Sequence, residues 1–298
     1  VGVFVECENS ITIYGIIPFK GDTVFTFHEN ANLSVPGYYN PLVKTFVDDD
    51  EDISNDHING PQIFSIPTYT LPITFDFESS NGFWSVNEYS SWQWGKPNST
   101  LIKTASSGYK VWKTNLTSNF PINDSSLVTS PCFDLKNSNF PVVELKTSQK
   151  IDSLTAGAVL QFSLDSGKTW NVLPKTNDAI KWYNVAVDSA LIRKGGSTGA
   201  AWAENRTAWT LSRESLPLTL SNKTGVKFRI FFASSKSGIF EDGFAFDDFK
   251  LYNTPPDVGV FAIRAPKSAC ELTNAEPVTI TIKNYGIDTI KANSAVLT

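Results

Sequence analysis

The stretch that decides the fold is EDGFAFDDFKLY, residues 241–252. Its aromatics recur at nearly every second position, the period of a strand, yet two adjacent carboxylates sit in the middle. Successive side chains of a strand face opposite sides. Simple alternation puts Phe244, Phe246 and Asp248 on one face and Ala245, Asp247, Phe249 and Leu251 on the other. Both faces are largely apolar, so at least one aspartate is bound for the interior. An unpaired buried carboxylate costs several kcal/mol or takes up a proton. The strand therefore demands a partner for its acid.

Outward from this strand, helical periodicity is almost absent. Short runs rich in Val, Ile, Phe, Thr and Trp alternate with clusters of Gly, Pro, Asn, Asp and Ser. The runs are TVFTFH (23–28), VVELKTS (142–148), AVLQFSL (158–164), YNVAVD (183–188), VKFRIFFAS (226–234), VGVFAIRA (258–265) and VTITIKNY (278–285). That pattern predicts an all-β sandwich. Two Pro-rich stretches divide the chain, one from Ser54 to Pro72 and one from Asn253 to Gly259. They set the expected organisation: residues 1–60 as the second half of an immunoglobulin-like domain, 61–71 as linker, 72–253 as one large sandwich, and 254–298 as the first half of another small domain. Each flank, at roughly 45–60 residues, is short for an independent β domain. The chain contains no methionine and opens in what reads as a strand, so it is expected to be an internal piece of a longer protein.

Hydrophobic residues make up 41% of the 298 positions and charged ones 18%, which suits a folded chain rather than a disordered one. A net charge of −5 argues against nucleic-acid binding, which needs a basic face. No apolar run approaches the ~18 residues of a membrane span, so no membrane insertion is expected in this segment. Cys7, Cys132 and Cys270 lie far apart and form no metal-ligand spacing, and their pairing stays open. His28 and His57 are too scattered for a zinc site.

FSLDSGKTW, residues 162–170, has the Asp-box pattern, Ser-x-Asp-x-Gly-x-Thr-Trp. It reads as a hairpin, with Gly167 taking the positive φ of the turn and Trp170 folded back under the loop. The box also recurs in sialidase propellers, but those repeat it blade after blade and this chain has one copy. Trp92 and Trp94, in WQWG, share one strand face. They read either as core filling or as a stacking surface for a sugar ring. No Gly-x-Ser-x-Gly elbow, His-Glu-x-x-His or phosphate-binding glycine loop is present, and no enzyme is expected. A second acidic stretch in an apolar setting, ITFDFESSNGFW (73–84), opens the large sandwich. First and last strands of a sandwich often lie side by side, which would bring Glu78 to Asp247. Such acids either share a calcium ion, which takes six to eight oxygens, or are hydrogen-bonded without metal.

The order FDFESSNGFWSV, WQWG, SSLVTSPCFDL, GAVLQFSLDSGKTW and GVKFRIFFASSKSGIFEDGFAFDDFKL resembles a MAM-type jelly roll. It is more closely similar to the cleaved-adhesin or choice-of-anchor modules of Bacteroidota surface and secreted proteins, over residues 72–253. The resemblance implies a structural calcium ion between the early Phe-Glu element and the closing Asp-Asp strand, held by Glu78 and Asp247, with Asp76 and Asp248 as further ligands. SVNEYSSWQW departs from the Asp-Gly-Asp-Gly-like loop at which many such modules hold a further calcium. The flanks resemble CARDB-like or immunoglobulin-like spacers. Hosts of such modules are long proteins exported by the type IX secretion machinery and active in cell-surface adhesion or gliding motility. The resemblance thus implies an extracellular, bacterial cell-surface repeat segment, a stiff stalk that meets further repeats of its own chain and an unknown surface polysaccharide or host or substratum ligand. Thr23, Ser153, Ser189 and Thr289 match the O-glycosylation triplet of that phylum. Two rivals stand beside this reading: a carbohydrate-binding module stacking on Trp92 and Trp94, and an accessory adhesin region of a secreted peptidase.

Overall fold

The computed structural model describes residues 17, 20–28, 30–186, 199–236, 241–254, 257–270, 272–284, 286 and 290. Two compact units divide at Pro67 and Thr68. The first contains four short strands, β1 (Gly37–Tyr39), β2 (Leu42–Lys44), β3 (His57–Asn59) and β4 (Ile63–Ser65). β1 pairs with β4 and β2 with β3, both antiparallel. TVFTFH, expected as a strand, runs without regular pairing from Thr23 to His28.

The second unit begins with β5 (Thr68–Thr70), β6 (Ile73–Phe75), β7 (Ser85–Val86), β8 (Trp92–Gly95), β9 (Val111–Thr114), β10 (Ser125–Thr129) and β11 (Cys132–Asp134). The long strands β12 (Pro141–Lys150) and β13 (Ala156–Ser163) follow, then the short β14 (Asn171–Val172), β15 (Val185–Ala186) and β16 (Ala200–Ala201). β17 (Asn205–Ser215), β18 (Lys227–Ser234) and β19 (Gly243–Asn253) complete the sandwich. β20 (Val258–Ala265) and β21 (Thr279–Asn284) form a separate hairpin. Among the described residues there is no α-helix, only single 3-10 turns at Ile53–Asn55 and Leu218–Leu220.

Two sheets face each other as a jelly-roll β-sandwich. One has the order β14-β13-β18-β10-β7. The other has the order β17-β12-β19-β9-β8, with β6 also paired to β19. The all-β expectation is thus met. The stretch 61–71, expected as a linker, carries β4 and β5, and β5 pairs in parallel with β11. β13 reads AGAVLQFS and is buried along its whole length, as a central strand covered on both faces must be. The core is unusually aromatic. Phe75, Phe77, Trp84, Phe133, Phe246 and Phe249 meet ring to ring, mostly edge-to-face or tilted. Each such pair adds about 0.5–1.5 kcal/mol beyond area burial.

The Asp-box turn forms as read. Ser166 and Gly167 take positive φ, and the Asp165 carboxylate accepts from the backbone of Lys168 and Thr169 and from the Ser163 and Thr169 hydroxyls. Those hydrogen bonds, Thr169's first, hold its pKa far below the usual carboxylate range. The Trp170 indole donates to Gly167 O, and the Arg229 guanidinium lies 4.2 Å over its ring. The side chains of Ser163, Asp165, Thr169 and Trp170 are thus occupied in holding the hairpin.

Candidate functional site

Simple alternation fails in β19, and the failure builds the site. Phe244, Phe246, Phe249 and Leu251 all pack into the main aromatic cluster, while Ala245, though buried, lies outside it. The phase changes at Asp248, whose φ is +49°. One left-handed residue takes up a half-turn of the strand, so the apolar face resumes at Phe249 instead of Asp248. The partner strand changes at the same place. Along one edge β19 pairs with β9 at Ala245 and Phe246, then with β6 from Phe249 to Leu251. Asp247 and Asp248 fall in the gap between the two partners. On the β6 side the chain also turns at a left-handed residue, Phe77, with φ +58°.

The gap is closed by the loop that precedes β9. The buried Asp247 carboxylate accepts the N–H of Ser106 (2.9 Å) and Ser107 (3.2 Å) on one oxygen and of Asp248 (2.8 Å) on the other. The Ser107 hydroxyl donates to Asp248 Oδ1 at 2.6 Å. Three residues on, Lys110 N donates to Glu78 Oε1 (2.8 Å), and Lys110 Nζ donates to Glu78 O (2.7 Å) while lying 4.7 Å over the Trp94 ring. Gly108, at φ +56°, lies flat against the Glu78 carboxylate, and any Cβ there would fall on it. Asp76 Oδ1 accepts the N–H of Glu78. The stretch Ser106–Lys110 therefore touches Glu78, Asp247 and Asp248, and Asp76 caps the turn that presents Glu78.

The same loop is pinned at its start by a fifth acid. Asp242, buried, accepts Leu101 N and Ile102 N at 2.6 Å and the Ser99 hydroxyl at 2.8 Å. Beside it the buried Lys113 ammonium donates to the carbonyls of Asn115 and Asp242, both at 2.6 Å, and of Thr114 at 3.3 Å. At the loop's middle the Trp209 indole donates to Thr104 O. The segment 99–110 thus forms a strap, seated by acids at Asp242, Asp247, Asp248 and Glu78.

The electrostatics follow from burial. Desolvation pushes the Asp247 carboxyl up to about 7; the Asp248 charge adds to this, and the N–H donors work against it. Burial also pushes Asp242 up, but the Ile102 and Leu101 N–H groups, the Ser99 hydroxyl and the Lys113 charge outweigh it and hold the group below its usual range. Lys113 is pulled down to about 8 by burial, with Asp242 opposing.

A hard dication fits the donors at the gap in chemistry. The Asp247 and Glu78 carboxylates meet one stretch of loop, and each carboxylate oxygen can accept more than one contact. Two features stand against a preformed cage. No group of three or more His, Cys, Asp or Glu side chains gathers in metal-binding geometry among the described residues, and the Lys110 ammonium already rests on Glu78 O.

The tryptophan expectation is corrected in part. Trp92 is 3% exposed, packs edge-on against Phe244 and Phe246 and donates to Ser126 O. It is core and has no free ring face to offer a sugar. Trp94 is half-buried, donates to Phe77 O at 2.9 Å and lies under Lys110. Of the modification candidates, Thr23 is exposed and Ser153 half-buried, while Ser189 and Thr289 lie outside the described residues. Cys132 and Cys270 are free thiols, and Cys7 lies outside the described residues. Alternation and turn signals did not reveal Asp242, Lys113 or the strap, although the Ser-Ser-Gly of 106–108 marks a turn.

Fold and site together define a jelly-roll β-sandwich module with an acid-seated strap. No protein-family model matches the chain, and no curated protein matches it. Among solved structures it is similar to TmCBM61 in complex with β-1,4-galactotriose, at 14% identity over 60% of this chain and 94% of that one, TM-score 0.36. It is also similar to two cleaved adhesin domains of Lys-gingipain from Porphyromonas gingivalis. One is 15% identical over 61% of this chain and 98% of that one, TM-score 0.38; the other is 13% identical over 62% and 99%, TM-score 0.35. Likeness at this level has no bearing on what the chain binds.

Proposed function

We propose that the chain is a non-catalytic adhesive and structural module of a long, extracellular bacterial surface protein, its sandwich braced by calcium at Asp247 and Glu78. The observation that carries this reading is the seating of both acids on one stretch, Ser106–Lys110, in the gap where β19 changes partner. These carboxylates are engaged by backbone donors rather than left free to move protons, which suits a brace and not a catalyst. The sequence resemblance over residues 72–253 supports the adhesive role, export by type IX secretion and a part in gliding or attachment. Calcium would neutralise the buried Asp247 and tie the β6 turn, the strap and β19 into one unit.

Thermal and urea unfolding with EDTA or with excess calcium tests the brace. A ligand that binds only the native state adds about 2.7 kcal/mol at 100 times its dissociation constant. The wild type is expected to gain that order of stability and Asp247→Asn to gain none. Equal midpoints in both buffers, with no calcium found by elemental analysis, would leave the strap held by hydrogen bonds alone.

A second reading, carbohydrate binding, is favoured by one residue. Tyr89 is 94% exposed and holds φ +58°, a strained place for a bulky side chain. Its loop is nonetheless hydrogen-bonded on both sides of the residue. Asn87 exchanges hydrogen bonds with the Leu127 backbone, Ser91 N donates to Ser126 Oγ, and Ser91 Oγ donates to Asp124. An exposed ring on a hydrogen-bonded loop is what stacking on a sugar requires. On a glycan array Tyr89→Ala is expected to weaken any binding by about fivefold to tenfold. Binding that is indifferent to this change removes Tyr89 as the platform.

A further inference from the structure

The sheet β14-β13-β18-β10-β7 has a second face. Phe228 of β18 meets Phe249 of the facing sheet, so Lys227, Arg229 and Phe231 look the other way, away from that sheet. The strand register sets Gln161 and Ser163 of β13, Thr129 and Leu127 of β10 and Ser85 of β7 beside them. No strand position on this face is Asp or Glu, while Lys227 and Arg229 are basic.

Arg229 is a half-buried charge without a counter-charge. Its Nε donates to Gln161 Oε1 at 2.6 Å, and its guanidinium lies 4.2 Å from the centre of the Trp170 ring. Gln161 is 2% exposed, so the support is set into the sheet. Among the described residues no carboxylate stands within ion-pair distance of Arg229. Asp165, on the same hairpin as Trp170, has both oxygens engaged by donors of its own turn. Burial pulls Arg229 down to about 10, with no acid's charge opposing it. A charge taken out of water ordinarily has an anion to offset the cost. Here the guanidinium is oriented by a hydrogen bond and an aromatic ring instead. With Nε spent on Gln161, the two Nη groups are the donors left, and they form a planar fork that matches a carboxylate.

We infer that Arg229, seated on Trp170 and Gln161, is a receptor for the carboxylate of an acidic sugar. The inference deepens the carbohydrate reading above and rests on it, with a different residue in a different role. Tyr89 would stack, and Arg229 would select for charge. The two belong to neighbouring parts of one sheet. Asn87, beside the Tyr89 turn, is bonded to the Leu127 backbone. Leu127 lies opposite Phe231, the next residue after Arg229 on this face. From β7 to β18 is two strand spacings, roughly 10 Å, a length that an oligosaccharide spans. Thr129, opposite Arg229, adds a hydroxyl to the row. Because the guanidinium is oriented before any ligand arrives, little ordering cost remains to be met on binding.

The test is calorimetric titration of the full chain, residues 1–298. The probes are oligomers of galacturonate, glucuronate and mannuronate, each beside its neutral form with the carboxyl groups reduced to alcohols. The wild type is expected to bind at least one acidic oligomer about tenfold or more tighter than its neutral form. Arg229→Gln should abolish that preference and leave neutral binding unchanged. Arg229→Lys should restore only part of it, since an ammonium keeps the charge but lacks the fork. Tryptophan fluorescence unfolding verifies that both variants stay folded, and the wild-type comparison of acidic with neutral oligomer needs no variant. Tyr89→Ala should weaken both forms alike. Equal wild-type affinity for acidic and neutral forms, or an acid preference that survives Arg229→Gln, would overturn the inference and leave the Tyr89 platform standing. Dextran sulfate competing as well as the uronates would overturn the carboxylate assignment, because a bare charge contact then explains the binding. Silence toward every uronate overturns it too, while only silence across the whole glycan array removes the carbohydrate reading with it.

Discussion

Replacing Lys113 by methionine is expected to cost about 3 kcal/mol at pH 7, read as a lower urea midpoint with an unchanged slope. Methionine fills the volume but donates nothing. The carbonyls of Asn115 and Asp242, now each 2.6 Å from the ammonium, would lose their donor, the Asp242 carbonyl in a buried place and the Asn115 carbonyl in a half-buried one, at about 1–3 kcal/mol for a buried group and less for the other. Asp242 would also lose the cation beside it, while its own donors at Ser99, Leu101 and Ile102 remain. A variant as stable as the wild type would show that the ammonium is carried rather than needed.

The pH dependence of that gap is a separate reading of the same residue. Burial sets Lys113 at about 8 in the folded chain, below its ordinary 10.5. Between those values the unfolded chain holds a proton that the folded chain has released, so stability rises with pH there. The contribution is complete above 10.5 and is lost as pH falls through 8. The difference between wild type and Lys113→Met is therefore expected to widen by about 3 kcal/mol from pH 8 to 10.5. Taking the difference removes the other lysines and the tyrosines. Parallel curves would mean that Lys113 titrates as it does in water.

Much of the sandwich was legible because its strands are long and their chemistry is uniform. β12, β13, β18 and β19 are apolar runs bounded by turn residues, and all four appear where alternation placed them. The pairing of the first strand with the last was legible too, since β6 lies on β19. What alternation could not supply was the fault within β19. A period-two reading presumes one unbroken pleat, and the left-handed Asp248 shifts its phase. TVFTFH failed for the converse reason: strand propensity describes a surface that pairs and packs, and residues 23–28 find no ladder.

The candidate acids were legible in identity and incomplete in partners. Glu78 and Asp247 stood out as charges in apolar settings, and the structure brings both onto one loop. Their immediate partners are backbone N–H groups of Ser106, Ser107 and Lys110, which no side-chain pattern announces. Lys113 was hidden similarly, because a lysine in a four-residue strand normally reads as solvent-facing. Trp92 and Trp94 were placed correctly on a strand, but their spacing could not say which sheet face the strand would present.

Gly108→Ala is expected to abolish the calcium response without altering any acid, which makes it the sharpest test of the brace. At φ +56° alanine costs about 1 kcal/mol in backbone strain. The larger effect is steric. The new Cβ would lie 2.2 Å from the Glu78 carboxyl carbon, and 2.5 and 2.6 Å from its two oxygens. The Glu78 side chain can swing away, but only by giving up the N–H of Lys110 that now fixes it at 2.8 Å. Without calcium the loss should total about 2 kcal/mol; with calcium at 100 times its dissociation constant it should grow by the further ~2.7 kcal/mol the ion no longer supplies. A double-mutant cycle separates eviction from general damage. Once Glu78→Ala has removed the carboxylate, Gly108→Ala has nothing left to displace, so the two changes should cost clearly less together than the sum of each alone. Strict additivity, with calcium protection intact in Gly108→Ala, would show that Glu78 plays no part in holding the ion and that the strap is seated by Asp242 and Asp247 without it.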